Sequence, residues 1–546
     1  MVRAVVVDVL ARLSGRRPAT IDVIGAGPRT VASVLEWSGV RADVYPYEAV
    51  EAGLVDLSDY DYLFASAMSC DEEAAVRLAA EWRRRSGGPA VIGGPITASR
   101  KLPRGYDYAV YGEAELVLPR LVEALRRGVE PADIPGIVYR GGDGCLIDTG
   151  HPGYTTRMHL SRPYTASITG YPLYWASRVY VEAVRGCSNY NRPHMKLPDG
   201  RQCIHCPICF DPSTPRKARL RCPAGIPPGC GYCSVPALYG PPRSRPPDVI
   251  AEEVKRLIDM GATRIVLSAP DLLDYYREDL VAPDPLTTPC TPPANTEALE
   301  KLLAGIYDAV PEFAEKGPPY LLIENVKACL VDEEVARILG EYMPGTPVHI
   351  GVETGDPDHY MMLGRPGTPE DAVKAVELLK RHGLKPYLYF IYGLPGETPR
   401  TARRTVKLMK KLYRQGAEKV TAYRFRPLPG SAFEKARPRL TRYSRMIKHA
   451  AEEINKEAKK RLIGRIVEAI VAGYHRAEQS MIAYTLPHGP VLLVRDAEAS
   501  DLGWLIEAWI TGLHGERMME ARLARRIKPL AHPRSLQAAR IIYQVP

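Results

Sequence analysis

Apolar runs that end in small or polar residues alternate with helical segments along most of the chain. Six of these runs predict the strands of one unit: VYVEAV, RIVLSAP, YLLIENV, PVHIGVETG, PYLYFIYGLPGET and KVTAYRFRPLPG. Strands that alternate with helices at this spacing favour a parallel barrel or partial barrel over residues 151–435. Its working face is expected at the carboxyl ends of the strands, where RGC, SAP, ENV, ETG and GLPGE all fall.

Residues 1–150 show the same alternation and predict a separate unit. Their strand-like runs are AVVVDVL, ATIDVIG, ADVYPY, YDYLFASA, PAVIGGP and YDYAVYG, and helix-like stretches lie between several of them. This pattern predicts a Rossmann-like, doubly wound parallel sheet. The following run, PGIVYRGGDGCLIDTG, predicts a hairpin around a Gly-rich turn.

The pattern changes after about residue 435. Residues 436–462 predict a basic helical linker, and residues 463–546 contain short strand-like runs separated by turn signals. Such runs favour a small β-barrel. The predicted fold class is therefore α/β, with a Rossmann-like domain, a central partial (β/α)6 barrel and a small C-terminal β-barrel.

Positive charge is concentrated in two segments of a chain whose formal net charge is +10. From Lys435 to the end there are 20 Lys and Arg against 11 Asp and Glu, and between Cys187 and Cys230 there are seven against two. Charge concentrated in this way suggests a polyanionic partner. A solvated basic face is the alternative.

The hydropathy of the sequence predicts where the protein is located in the cell. No stretch approaches the roughly 18 apolar residues that span a bilayer, and the apolar N-terminal run lacks a small-residue cleavage site. We therefore expect a cytoplasmic protein with no membrane partner.

Amide residues are scarce, with five Asn and five Gln, whereas Pro is abundant at 50. This bias is typical of a thermophile, with genomic composition alone as the alternative cause.

Seven of the eleven cysteines lie between residues 187 and 233, which predicts metal binding. An iron–sulfur cluster with an open iron needs three thiolates, and a closed centre needs four, so seven suffice for one of each. Four further cysteines are scattered, and we expect them to be ordinary buried or loop residues that form no disulfide: Cys70, Cys145, Cys290 and Cys329.

Two partitions of the seven cysteines are open. In the favoured one, Cys187, Cys230 and Cys233 form the open site, because Cys187 ends a strand on the expected working face. In the other, Cys222 replaces Cys187. The closed set of the favoured partition resembles ferredoxin spacing, with an iron–sulfur cluster or Zn as alternatives, and comprises Cys203, Cys206, Cys209 and Cys222.

Several motifs in order resemble one family. RGC, CGYCSVPALYG, IGVETG, LGRPGTPEDAVKAVELLKRHG and YFIYGLPGETPRTARRTVKLMKKL are similar to the radical S-adenosylmethionine (SAM) superfamily, and the similarity covers roughly residues 20–435. The most similar branch carries an N-terminal cobalamin-binding domain. The chain departs from the usual C-x3-C-x2-C by placing 42 residues, the insertion 188–229, between the first two cysteines.

The resemblance implies a [4Fe–4S] cluster that cleaves SAM and assigns residues to that cofactor. Tyr232 is implied near the adenine, Ser268, Ala269 and Pro270 near the methionine amino group, and Glu353 at the ribose, where a structural salt bridge is the alternative. Glu324 and Asn325 are implied to touch substrate or cofactor at the barrel mouth, with simple structural roles as the alternative. Gly393 and Gly396 are implied cofactor-binding residues that allow close backbone approach at a strand end.

The flanking regions carry weaker resemblances. Gly93-Gly94 and GEAE at 112–115 look like a cobalamin-binding domain, although the usual D-x-H-x-x-G histidine is absent, since the first histidine is His151. A vestigial scaffold is the alternative. The C-terminal region is similar to TRAM, a small RNA-binding β-barrel, with a basic structural barrel that closes the active site as the alternative.

The resemblance implies an enzyme that methylates or methylthiolates RNA, either tRNA or rRNA, with ferredoxin or flavodoxin as electron donor. One alternative is a radical SAM enzyme for a lipid or small metabolite, with the terminal barrel as a lid. Another is a non-catalytic metal-cluster protein that binds RNA. The basic insertion is expected to shape substrate access.

Overall fold

The N-terminal region contains one seven-stranded sheet. The computed structural model describes residues 2–15, 22–209, 211, 214–284, 288–542 and 544–545. The strands of the first 150 residues are β1 (Arg3–Asp8), β2 (Val23–Ile24), β3 (Arg41–Pro46), β4 (Tyr62–Ser66), β5 (Ala90–Gly93), β6 (Tyr108–Val110), β7 (Ile137–Arg140) and β8 (Leu146–Asp148). The helices are α1 (Ala26–Trp37), α2 (Tyr47–Glu51), α3 (Glu72–Arg85) and α4 (Ala114–Arg127).

This sheet has the order β3-β1-β4-β5-β6-β7-β8. The first five strands of this order, β3, β1, β4, β5 and β6, pair in parallel. The pairs β6–β7 and β7–β8 are antiparallel. The central strands are buried along nearly their whole length, as expected where helices cover both faces of a parallel sheet. The parallel sheet and the hairpin are present as predicted.

The run ATIDVIG does not join this sheet, which corrects one strand assignment. Its strand β2 pairs in parallel with Arg178 and Val179 of the barrel, and residues 19–21 of the run lie outside the described residues. Asp22 forms ion pairs with Arg178 at 3.3 Å and Arg264 at 3.1 Å. These buried charges hold the segment against the base of the barrel, because a buried carboxylate needs such partners.

Six parallel strands form the central unit, one from each predicted run. The strands here are β9 (Arg178–Glu182), β10 (Val184–Arg185), β11 (Arg243–Ser244), β12 (Arg264–Ser268), β13 (Tyr320–Ile323), β14 (Pro347–Glu353), β15 (Lys385–Tyr392) and β16 (Lys419–Arg424). The helices are α5 (Val235–Tyr239), α6 (Pro247–Asp259), α7 (Thr296–Ala309), α8 (Glu333–Tyr342), α9 (Pro357–Met362), α10 (Pro369–Arg381), α11 (Pro399–Arg414) and α12 (Arg442–Lys460).

The six strands run in the order β9-β12-β13-β14-β15-β16, with β2 outside β9. A bridge between Val326 and Ile350 joins β13 to β14. Within the described part of the chain, β16 pairs with a strand on one side only, so the barrel is partial. Asn455 of α12 covers the β16 edge by bonding both backbone groups of Val420. The predicted linker thus contains a helix that packs on the barrel.

The C-terminal region is rich in β-sheet, as predicted. Its elements are β17 (Ile466–His475), β18 (Ser480–Thr485), β19 (Val491–Val494), β20 (Trp504–His514), β21 (Met518–Pro529), α13 (Pro533–Ile542) and β22 (Gln544–Val545). The pairings β17-β18-β19-β21-β20 return to β17, so five strands pair in a ring.

This region packs against the amino-terminal ends of the barrel strands. The hydroxyl of Tyr320, at the start of β13, donates to Glu468 of β17 at 3.1 Å. The ring of His488 lies 5.2 Å from that of Tyr387, near the start of β15. The region therefore covers the base of the barrel, so the alternative in which it closes the opposite, working end as a lid is wrong.

Two further findings concern cysteines and membranes. Cys290 and Cys329 form a disulfide, with Cα atoms 5.6 Å apart, so the expectation that they are ordinary unpaired residues is wrong. Cys70 and Cys145 are exposed and free. Within the described ranges, no helix combines the length and apolar character needed to cross a bilayer.

Candidate functional site

Three cysteines come together at the carboxyl end of the barrel. Cys187 follows β10, and its N–H donates to the carbonyl of Gly240 at 3.1 Å. Cys230 and Cys233 share one turn, in which the Cys233 N–H donates to the Cys230 carbonyl at 2.8 Å. Asn189 joins the two segments, because its backbone N–H lies 3.4 Å from the Cys187 sulfur and its side-chain Nδ2 donates to the Cys230 sulfur at 3.2 Å.

Burial controls the protonation of these thiols. Burial, together with a smaller contribution from the neighbouring Cys230, raises the pKa of Cys187 to about 11 and that of Cys233 to about 12. Lys327 opposes the shift in the pKa of Cys187. A cationic metal centre deprotonates a coordinating thiol, so this buried set is suited to binding metal rather than to acting as free nucleophiles.

The other four cysteines lie together in the insertion. Burial raises the pKa of Cys209, and the nearby thiols of Cys206 and Cys222 raise it further while Arg192 lowers it. Cys203 and Cys222 pack against the same small apolar cluster. Cys222 thus lies near the other three members of the predicted closed set. Across the described residues, no three His, Cys, Asp or Glu side chains stand in the geometry of a single bound ion.

A polar cluster lies beside the Cys230 thiol. Arg365 donates to the Tyr232 hydroxyl at 2.8 Å, and its guanidinium lies 3.5 Å from the Glu353 carboxylate and 3.9 Å from the Cys230 sulfur. Burial raises the pKa of the Glu353 carboxyl, while Arg365 and Tyr232 oppose the shift. Glu353 has a φ of 66°, and backbone strain of this kind clusters at active sites.

A second charged cluster fixes the segment that carries Cys187. The Nζ of Lys327 donates to Asp271 at 2.8 Å, to Asp274 at 2.7 Å and to Ser188 at 2.8 Å. Ser188 directly follows Cys187 and donates to Asp274 at 2.8 Å. The first cysteine is therefore tied to residues that follow β12 and β13.

The remaining predicted cofactor residues lie at the barrel mouth. Ser268, Ala269 and Pro270 close β12, and the Ser268 carbonyl already accepts the N–H of Ala183 at 2.8 Å. Other backbone groups of this turn are needed for any contact with the methionine group. Sequence order alone gives no indication of the bond to Ala183.

Glu324 and Asn325 have different surroundings. The Tyr180 hydroxyl donates to Glu324 at 3.2 Å, and His349 lies 3.9 Å from the same carboxylate. Asn325 is exposed, and its carbonyl accepts the N–H of Leu272 at 2.9 Å. Glu324 thus lies among barrel side chains, whereas Asn325 shapes a turn.

The two predicted glycines sit at the carboxyl end of β15. A Cβ at Gly393 would lie 3.0 Å from the carbonyl of Arg439, and one at Gly396 would lie 3.2 Å from Met195 and 3.4 Å from His359. At both positions another segment of the same chain approaches the glycine closely. These contacts give both glycines a structural role.

The carboxyl ends of the N-terminal strands face the barrel mouth. Glu113, after β6, pairs with Arg185 at 2.7 Å and Arg243 at 2.7 Å, and Arg185 lies just before the first of the three cysteines. Cys70, after β4, interacts electrostatically with Arg426, after β16. Open α/β sheets bind ligands outside the carboxyl ends of their strands, so the two working edges of the molecule face each other.

Asn189, Lys327 and Arg365 contact the thiols or their neighbours but were not predicted as site residues from the sequence. Asn189 lies two residues after Cys187, and Arg365 lies within the LGRPG motif. Lys327 follows ENV at a strand end. The sequence therefore indicates these residues only by their proximity to a motif, and it does not show which residues they contact.

Comparison with known proteins identifies relatives along nearly the whole chain. Residues 221–409 match the family model of the radical SAM superfamily. The chain is 42% identical over 528 residues to the uncharacterized protein MK0932 of Methanopyrus kandleri, covering 95% of this chain and 96% of that protein. It is 39% identical over 499 residues to the uncharacterized protein MJ1620 of Methanocaldococcus jannaschii, covering 90% and 93%.

More distant similarities concern named enzymes. The ribosomal protein uS12 methylthiotransferase RimO of Carboxydothermus hydrogenoformans is 25% identical over 297 residues, covering 52% of this chain and 62% of that protein. The solved structure of the radical SAM methyltransferase TsrM of Kitasatospora setae, with cobalamin and a [4Fe–4S] cluster bound, has a TM-score of 0.58 over 80% of this chain and 74% of that chain. Its identity of 16% limits this likeness to the fold.

Proposed function

This chain belongs to the radical SAM superfamily and to one family with its two archaeal relatives, and from that premise we propose that it is a cobalamin-linked methyltransferase or methylthiotransferase that modifies RNA. The observation that carries the proposal is the meeting of Cys187, Cys230 and Cys233 at the barrel mouth. Three thiolates can bind three irons of a [4Fe–4S] cluster and leave the fourth iron open for SAM.

The residues around the thiols orient them and exclude water. When bound, the cluster and SAM supply reductive cleavage of the sulfonium bond, with ferredoxin or flavodoxin as the proposed electron donor. Asn189 holds the Cys230 sulfur by a hydrogen bond, and Lys327 brings positive charge toward Cys187. Positive charge and donated hydrogen bonds favour the ionised thiolates that a cluster requires.

We assign Tyr232 to the adenine of SAM, Glu353 to its ribose, and the turn after β12 to its methionine group. The Glu353 carboxylate lies 3.5 Å from Arg365, and both Arg365 and Tyr232 favour its ionised form. A carboxylate held by two partners has little freedom, so it can present one oxygen to a ribose hydroxyl in a fixed position. Arg365 acts as a positioning residue in this arrangement.

The N-terminal sheet supports the proposal of cobalamin. Its carboxyl edge, which faces the barrel mouth, carries the small residues Ser66, Ala67, Gly93 and Gly94. An edge without bulky side chains leaves room for a large planar group in the crevice. Cobalt ligation by the N-terminal domain itself is not part of the proposal, because no histidine precedes His151.

RNA is the proposed substrate class because the positive charge of the chain concentrates in its C-terminal region and in the insertion.

A small aromatic metabolite is the second candidate. The rings of Tyr389 and Tyr423 stack in the barrel at 5.8 Å, and Tyr423 is 56% exposed. An exposed ring in this position offers a surface for a planar substrate.

The four cysteines of the insertion are proposed to bind a second metal centre, either an iron–sulfur cluster or Zn. Heat adaptation is also proposed, since scarce amides and abundant Pro now stand beside the Cys290–Cys329 disulfide. Intracellular proteins of hyperthermophiles are an exception to the general rarity of cytosolic disulfides.

Anaerobic reconstitution with SAM and dithionite tests the proposed chemistry. We expect 5′-deoxyadenosine or S-adenosylhomocysteine as product, and absence of both would overturn the enzymatic proposal. Iron and cobalt analysis with a Mössbauer spectrum of anaerobically purified protein separates one cluster from two, and separates iron from Zn in the insertion. Stoichiometric cobalt is the result expected for a cobalamin enzyme.

Matched cysteine variants test the ligand assignment. Cys187→Ala is expected to abolish SAM cleavage, whereas Cys222→Ala is expected to remove the second centre and keep cleavage. Cys145→Ala, at a free and exposed position, serves as the control. Full cleavage by Cys187→Ala together with loss of cleavage by Cys222→Ala would reverse the partition.

A further inference from the structure

A stripe of unpaired positive charge lies on α11, outside the site described above. This helix contains seven Lys and Arg and no Asp or Glu. Two of the seven, Arg400 and Arg404, pair with Asp356 and Asp358. The other five are exposed and form no ion pair with any residue that the structure describes: Arg403, Lys407, Lys410, Lys411 and Arg414.

The stripe borders a groove between α11 and α12. Four of its charges recur at intervals of three or four residues on one helix face, and they line the groove with two apolar side chains: Arg403, Lys407, Lys410, Arg414, Val406 and Met446. At about 1.5 Å of rise per residue, the four charges span about 16 Å. A row of like charges at this spacing favours an extended polyanion, because every position repels every other until a negatively charged strand lies along it.

The stripe leads to an exposed aromatic patch on the C-terminal region. Near the ends of α11 and α12, the guanidinium of Arg461 lies 4.8 Å from the ring of Tyr413. Five residues further on, Ile466 pairs across strands with Trp509, which pairs on its other side with Arg522. Trp509 is 47% exposed and Ile466 is 60% exposed. A large exposed ring between an apolar and a basic neighbour is suited to stacking on a base.

We infer that α11 and the Trp509 patch form one binding surface for single-stranded RNA, an inference that rests on the proposed RNA substrate. Proteins bind single strands by combining a basic groove for the backbone with aromatic rings on which bases stack. Both parts are present here, and they are linked by the contact of Arg461 with Tyr413 and by the short segment from Arg461 to Ile466. An acidic protein partner would account for the charges of α11 but not for the exposed Trp509.

The direction of α11 gives this surface a role in the reaction. The helix begins after the carboxyl end of β15, at the barrel mouth, and ends before the amino end of β16, at the base. The Trp509 patch belongs to the region that covers the base, whereas the three thiols lie at the mouth. A strand bound along α11 therefore extends from the patch toward the thiols.

The test is RNA binding by the full chain, with a fluorescein-labelled single-stranded RNA as probe and fluorescence anisotropy between about 50 and 200 mM salt. Lys407→Glu/Lys410→Glu is expected to weaken binding about tenfold and to reduce the slope of log K against log salt by about 0.7 for each phosphate that the variant leaves unneutralised. Lys101→Glu/Lys374→Glu is the matched control, since both lysines are exposed, form no ion pair in the described ranges and lie elsewhere.

Trp509→Ala is expected to weaken binding about tenfold without changing the salt slope, because stacking releases no counterions. Tyr474→Ala, another exposed ring of the same region, is expected to have no effect. These two readouts separate weaker phosphate binding from weaker base stacking, and the thermal midpoint of each variant, expected to match that of wild type, shows that it is folded.

Each other outcome overturns the inference. If the α11 variant binds as its control does, the stripe is a solvated face, while the RNA substrate still stands. If the wild-type chain binds no RNA, the surface and the RNA substrate both fail, and SAM cleavage still reports on the chemistry. If RNA binding is unchanged but electron delivery from reduced flavodoxin slows while the dithionite-driven reaction does not, the stripe is a docking site for an acidic protein.

Discussion

The side-chain amide of Asn189 donates to the sulfur of Cys230 at 3.2 Å, while its backbone N–H lies 3.4 Å from the sulfur of Cys187. The same amide also donates to the carbonyl of Gly364 at 3.0 Å, and the residue is buried. One side chain thus fixes two proposed ligands relative to each other. Hydrogen bonds to sulfur are among the features that set the reduction potential of an iron–sulfur cluster.

Substitution of Asn189 is therefore expected to lower the midpoint potential of the open cluster. Asn189→Ala removes a donor to sulfur, and Asn189→Asp also adds negative charge, so the potential should decrease from wild type to Ala to Asp. Redox titration followed by electron paramagnetic resonance measures this order, with iron content as the check that the cluster is in place. A higher potential for Asp than for Ala would contradict the assigned role.

Lys327→Met is expected to destabilise the protein and to reduce its iron content. The variant leaves the buried carboxylates of Asp271 and Asp274 without this cation, and breaking a buried pair costs about 3–5 kcal/mol. Lys327→Arg keeps the charge and should retain more iron.

Thermal unfolding and iron analysis measure both effects of the Lys327 variants. Lys374→Met, at an exposed position on α10, is the control and should match wild type. If Lys327→Met unfolds and loads iron as this control does, the network does not support Cys187.

Periodicity made most of the fold predictable. The six barrel strands and the five strands of the C-terminal ring coincide with runs visible in the sequence, because each buried strand must be apolar. The position of Cys187 at the barrel mouth was predictable too, since a cysteine at a strand end lies on the working face of a barrel. These conclusions need only local patterns.

Contacts between distant segments were not predictable in this way. Lys327 meets Asp271 and Asp274 because two neighbouring parallel strands end at the same edge, and β2 leaves its expected sheet because Asp22 pairs with charges of the barrel. The position of the C-terminal region at the barrel base depends on surface complementarity, which has no sequence period. The place of β2, the Cys290–Cys329 disulfide and the position of the C-terminal region all depend on such long-range contacts.

Removal of the Cys290–Cys329 disulfide is expected to cost about 3–4 kcal/mol of stability, from the loop of 39 residues that it closes. Cys329 lies two residues after Lys327, so the disulfide also restrains the segment that carries this lysine. The thermal midpoint of Cys290→Ser/Cys329→Ser should fall well below that of Cys145→Ser, the free-cysteine control. Equal midpoints, or absence of the cross-linked peptide in a non-reducing digest, would contradict the expectation.

The contact between the N-terminal sheet and the barrel is expected to weaken in acid. Glu115 pairs with Arg185 at 2.9 Å, and Arg185 also pairs with Glu113 and Glu182. Burial alone would raise the pKa of Glu115, but Arg185 and Tyr164 together lower it to about 2, from an ordinary value of 4.5. Folding therefore favours the ionised carboxylate, which contributes about 3 kcal/mol at neutral pH.

Because the folded pKa of Glu115 lies below the unfolded value, this contribution is complete above about pH 4.5 and is lost as the pH falls toward about 2. Glu115→Gln should be less stable than wild type at neutral pH and should lose less stability on acidification. Chemical unfolding at about pH 7 and about pH 3 measures both, because most of the contribution is lost by about pH 3. Glu123→Gln is the matched control on the same helix, since its exposed pair with Arg127 contributes little. If the two variants share one pH dependence, Arg185 does not couple the N-terminal sheet to the barrel through Glu115.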